Sequence, residues 1–141
     1  MPEFLVPLHP KMVHFPIALF MTALFFELLS LILKKELFHK TALSLYVFAA
    51  LFTPLVVFSV LWEEHRLHLA HPLLTKHKTC GLWAMWTALV SLPVLWFFRK
   101  QFTQQSRALF FFVLLALAAL VTFTGYYGGE MVYEYGVAVE R

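Results

Sequence analysis

Apolar residues run through this chain in four long blocks, at about 15–33, 41–62, 81–98 and 108–127, separated by short polar connections. Each block approaches the roughly 20 residues a helix needs to cross the hydrocarbon core of a bilayer. The last three contain no Asp, Glu, Lys or Arg, and the first contains only Glu27. The pattern predicts an all-α membrane protein, a single four-transmembrane-helix bundle over residues 1–141. The connections leave no room for a soluble domain. Pro16 falls where the first turn of a helix tolerates proline, whereas Pro54 and Pro93 fall inside spans and are expected to kink them. No cleavable signal peptide is expected, because the N-terminal region lacks a basic start and a small-residue cleavage site.

Composition agrees with this reading and excludes its competitors. The 141 residues are 61% hydrophobic and 13% charged, against about 45–50% and about 25% in soluble domains. A soluble enzyme, a disordered tail and a disulfide-stapled secreted domain are therefore excluded. Cys80, the sole cysteine, permits neither an internal disulfide nor a multi-cysteine metal site. The net charge of +3 describes a topology rather than an anionic partner. One end of the bundle, side B, holds the 34–40 and 99–107 connections, with six basic residues against Glu36. The other, side A, holds both termini and the 63–80 loop, with five basic residues against six acids. The positive-inside rule places side B in the cytoplasm and side A, with both termini, outside. Nothing in the chain suggests a nucleic-acid surface, a nucleotide loop or a catalytic nucleophile, so an autonomous enzyme is not expected.

Six of the seven histidines, His9, His14, His65, His68, His71 and His77, fall on side A, and only His39 on side B. Histidine is the commonest metal ligand and titrates near neutral pH, which makes side A the place to look for chemistry. LHPKMVHFPIALF opens the first span and AHPLLTKHKTCGLW the third. Each has His-Pro followed shortly by a second His. Two parallel, pseudo-repeated helix pairs would account for this and would bring His14 and His77 to similar depth on facing helices. Spans two and four close on side A with Glu63 and Glu64 and with Gly125, Gly128, Gly129 and Glu130. These glycines would let backbone pass close to a neighbour or a flat ligand, or end the helix in a left-handed cap.

The opening HPKMVHFPIAL and the closing TGYYGGEMVYEYGVAV resemble the prokaryotic membrane family catalogued as domain of unknown function 2231. The matching positions are His9, Pro10, His14, Phe15 and Pro16, then Gly125, Gly128, Gly129, Val132, Tyr133, Gly136 and Val137. Trp62, Glu63 and Glu64 stand where family members often have Gly and Asp, and Tyr135 stands where a His is common. The resemblance implies a four-helix domain in a bacterial or archaeal inner membrane, near or fused to redox modules such as Rieske or cytochrome c domains. It thereby favours a b-type haem and an electron-transfer role.

Three readings follow. In the first, haem b is held near the outer face by His14 and His77, with His9 or His71 next in line. Gly125 and Gly129 would lie against the cofactor, and Glu63, Glu64 and Glu130 would support the ligands or handle protons. Phe15, Phe123, Tyr126, Trp62, Trp83 and Trp86 would surround the macrocycle. In the second, the protein is a haem-free scaffold or anchoring subunit of a larger redox or transport complex. In the third it binds copper, zinc or iron through His65, His68 and His71, spaced i, i+3, i+6. Assembly as a homo-oligomer or complex subunit is expected in each case. Glu27 stands apart, about 18 Å below the start of its helix at 1.5 Å per residue. It is either a proton relay or a protonated carboxyl bonded to Ser30, Thr22 or another helix.

Overall fold

Four helices account for nearly all of the described chain. The computed structural model describes residues 8–67, 71–98 and 104–136. They form α1 (Leu8–Leu33), α2 (Glu36–Leu67), α3 (Pro72–Phe98) and α4 (Gln104–Tyr133), with no strand among the described residues. All four are long and apolar enough to cross a membrane. They run well past the apolar blocks on side A. At 26 to 32 residues they extend about 40–48 Å, beyond the ~30 Å of hydrocarbon. Hydropathy marks the length buried in lipid; the backbone stays hydrogen-bonded wherever nothing breaks it.

This extension changes the local setting of several residues. Most of the expected 63–80 loop is helical. Pro16 lies inside α1 rather than in its first turn. The glycines at 125, 128 and 129 do not end α4, which closes at Gly136 in the left-handed conformation (φ 60°), with its N–H donating to Val132 O. His71 and Pro72 form a helix start: the Leu73 N–H donates to His71 Nδ1 (3.2 Å), so His71 caps α3 while Pro72 takes the first helical position.

The helices form a ring. α1 packs mainly on α2 and α3 on α4, and α1–α4 and α2–α3 contacts close it. Large apolar side chains face outward, including all four tryptophans, while Phe20, Ala23, Tyr46, Phe110, Leu114 and Leu117 fill the interior. Buried positions recur every seven residues, as at Pro16, Ala23 and Ser30 on α1 or Phe110, Leu117, Thr124 and Met131 on α4, the repeat that keeps one seam facing its neighbours. Two polar features inside the ring find partners close by. Pro54 lacks the N–H that would bond Ala50 O, and the Thr53 hydroxyl donates to that carbonyl instead (2.7 Å). Tyr46 Oη donates to Ala88 O and meets Ser91 Oγ, both at 2.7 Å. Its partners keep other hydrogen bonds, since Ser91 Oγ also donates to Thr87 O. Tyr46→Phe is therefore expected to cost only about 1 kcal/mol, read as a small drop in thermal stability in detergent.

Candidate functional site

The structure brings His77 together with His9. The two Nε2 atoms lie 3.2 Å apart, with the rings nearly perpendicular. His9 sits in the first turn of α1, and its backbone N–H donates to Glu63 Oε1 of α2 (2.8 Å). A carboxylate at a helix N-terminus satisfies one of the unpaired N–H groups and opposes the positive end of the helix dipole. On the ring, Nδ1 faces Val56 O (3.2 Å) and Ser59 Oγ (3.0 Å), while the Ser59 hydroxyl donates to Val56 O (2.7 Å). His77, buried on α3, places Nδ1 2.8 Å from Thr124 O of α4.

These partners decide where the protons sit. A carbonyl oxygen only accepts, so His77 Nδ1 carries hydrogen, and in the neutral ring Nε2 is a bare lone pair. Val56 O likewise favours hydrogen on His9 Nδ1, which turns the His9 Nε2 lone pair toward that of His77. Two lone pairs at this distance repel unless a cation lies between them. When His9 instead carries its hydrogen on Nε2, it donates to His77 and receives the Ser59 hydroxyl at Nδ1. His77 is thus a fixed acceptor and His9 an adjustable one.

Gly128 makes this approach possible. It lies one turn beyond Thr124 on α4, and a Cβ there would stand 3.2–3.3 Å from the His77 ring. Gly125 has nothing near its Cβ position, and Gly129 only Tyr133 at 3.9 Å. Beneath the histidines lies a cavity of about 50 Å³, walled chiefly by apolar side chains such as Val13, Ile17, Phe20 and Val121, with Thr53 among them.

The other candidate residues lie elsewhere. His14 is exposed, because five residues rotate it about 140° around the helix from His9. His71 is spent as a cap and packs on the Tyr135 ring. His65 is exposed on the last turns of α2, and His68 lies outside the described residues. Among the described residues no three His, Cys, Asp or Glu side chains gather as a metal site. Glu64 pairs with Lys78 at 2.6 Å, tying α2 to α3. Glu130 lines a groove on α4 with Tyr126 and Tyr133 rather than the histidine pair. Phe15, Phe123, Tyr126, Trp62, Trp83 and Trp86 all face outward. The sequence carries no signal for Ser59 or Thr124, whereas Gly128 was expected, with Gly125 and Gly129, to admit a close neighbour, and of the three it is the one that admits the His77 ring. One signal was available: Glu27 must face the bundle, and His9 precedes it by 18 residues, five full helical turns.

A haem iron between two imidazoles would separate their nitrogens by about 4 Å, at about 2 Å per metal–imidazole bond. The 3.2 Å gap and the 50 Å³ cavity do not admit a macrocycle, since ligand pockets run to about 300 Å³ and more. A single ion does fit: bonds of 2.0–2.1 Å to both nitrogens subtend about 100–105°, near tetrahedral.

A family model described as a predicted membrane protein, domain of unknown function 2231, matches residues 5–141. Comparison with curated proteins and with solved structures returned no match.

Proposed function

We propose that this chain, which belongs to the family of predicted membrane proteins of domain of unknown function 2231, binds one transition-metal ion between His9 and His77. The observation that carries this reading is the convergence of two Nε2 atoms at 3.2 Å, with Val56 O and Thr124 O behind their Nδ1 atoms. Imidazole suits copper, zinc and iron. The charge balance selects copper(I). The ion's neighbours would be two neutral rings and a mostly apolar cavity whose one cation among the described residues, Lys78, is paired with Glu64, and burial of unpaired charge is costly, so a monovalent ion is tolerated best. Glu63, already bonded to the His9 N–H, supplies one compensating charge. Two protein ligands leave coordination positions open. Such a site takes up and passes on its ion, whereas structural sites close all four positions. With side B in the cytoplasm by its cluster of basic residues, the ion would be handled at the outer face of the membrane.

Titration of the detergent-purified protein with copper(I), against a competing chromophoric chelator, tests this. One ion per chain is expected, and protein from haem-replete cells is expected to show no Soret band. A Soret band lost in both His9→Gln and His77→Gln would replace this reading with haem. Failure to bind copper, zinc or iron above background would end it.

Gly128→Ala separates site geometry from stability. The added methyl presses on the His77 ring, and the affinity is expected to fall about tenfold, the range seen when groups that orient metal ligands are disturbed. Stability should change by less, because alanine gains about 1 kcal/mol of helix propensity over glycine. Paired affinity and melting measurements check both halves.

A further inference from the structure

At the side-B end of the bundle lies a second buried pair, independent of the metal reading. Glu27 of α1 is 0% exposed, and its Oε2 lies 2.7 Å from Nδ1 of His39 on α2, itself 2% exposed. Its other oxygen, Oε1, is buried with no hydrogen-bond partner among the described residues. An ionisable side chain within a span costs about 2.5–3.5 kcal/mol on insertion scales, and such groups usually mark proton or ion routes. A pair kept only for packing would be expected to satisfy both oxygens.

The surroundings give the pair an inside and an outside. Ser30, one turn nearer side B on α1, accepts a hydrogen bond from Arg107 Nη2 of α4 (2.6 Å). Phe110, one turn deeper on α4, sets its ring edge-on to His39, with centroids 5.6 Å apart. Because α1 and α4 run in opposite directions, these contacts form two layers: Ser30 with Arg107 toward side B, and Phe110 toward the centre. Phe110 is fully buried and also packs edge-on against Tyr46, so it is a firm floor. Arg107 is only half-buried; among the described residues its guanidinium is held by the bond to the Ser30 hydroxyl, while its Nε is buried without a partner there. Among the described residues, Arg107 is the charged group placed over the pair from α4; Lys34, Lys35, Glu36 and Lys40 are exposed to solvent around it.

We propose that Glu27 and His39 form a proton-exchange site open to side B, with Arg107 as its gate. When Arg107 leaves Ser30, water reaches the Oε2–Nδ1 pair. The Oε2–Nδ1 contact already holds one hydrogen, so the proton exchanged with water is taken up or released at Glu27 Oε1 or His39 Nε2, and the charge of the pair changes by one. Phe110 blocks further passage toward Tyr46.

The test combines infrared spectroscopy of carboxyl groups with nitrogen NMR of ¹⁵N-histidine-labelled full-length protein in lipid, in mildly acidic and mildly alkaline buffer. At least one signal, the Glu27 carboxyl or the His39 ring, should change between the two. That change should be lost in Glu27→Gln and altered but retained in Glu27→Asp, which keeps the proposal testable if the glutamine variant does not fold. Arg107→Gln should speed hydrogen–deuterium exchange of the pair about tenfold, the scale set by loss of one hydrogen bond. Signals that stay constant with pH in the wild type, or exchange unchanged in Arg107→Gln, would overturn the proposal and leave a fixed structural pair.

Discussion

Replacing His77 with glutamine is expected to lower copper(I) affinity at least ~100-fold, since loss of a ligand exceeds the 10–100-fold cost of losing a group that only orients one. In the proposed site the ring would be one of two donors, so its removal would leave a single imidazole above a mostly apolar cavity. Glutamine keeps most of the volume, and its amide N–H can still donate to Thr124 O, so the fold should persist while the lone pair disappears. His9→Gln should match it, because in the proposed site each ring would supply one of the two protein ligands. His14→Gln should leave affinity unchanged, since His14 is exposed on another face of α1. Chelator competition on the three variants decides the matter. Affinity retained in both His9→Gln and His77→Gln, or lost equally in His14→Gln, would remove the site from this pair.

Phe110→Ala is expected to destabilise the bundle by about 3–5 kcal/mol, as large-to-small changes in closed cores do. In lipid the cost does not come from returning apolar surface to water, because the surrounding tails are equally apolar. It comes from lost packing contacts and from the cavity left behind. Phe110 is 0% exposed and meets the rings of both Tyr46 and His39 edge-on, so its removal also deprives the buried Glu27–His39 pair of its inner wall. Phe112, two residues on, is 64% exposed, and Phe112→Ala should be close to neutral. Thermal or chaotrope unfolding in one detergent gives the comparison directly. Equal effects at the two positions would show that α4 does not pack by the face described.

The pairing of His9 with His77 shows where the linear reading stops. The two His-Pro motifs look equivalent, but five residues separate His9 from His14 and six separate His71 from His77. One residue turns a helix by about 100°, so equivalent histidines face different ways. The second residue of one motif therefore meets the first of the other. His39 was equally opaque: as a lone histidine it suggested no site, and only the α1–α2 packing brings Glu27 to it.

Composition and hydropathy by themselves determined the solvent, the number of spans and the end of the bundle where histidines gather, because transfer of apolar surface to lipid depends on which residues are present and in what runs. They also required Glu27 to face inward, since an ionisable group in lipid is costly. Only the tertiary structure decided which histidines meet, which glycine admits the ring, and which carbonyls hold the two Nδ1 atoms. Those outcomes depend on the rotational phase of four helices relative to one another. That phase is set by interlocking side chains from different helices, distant in sequence, and no run of residues along one helix contains it.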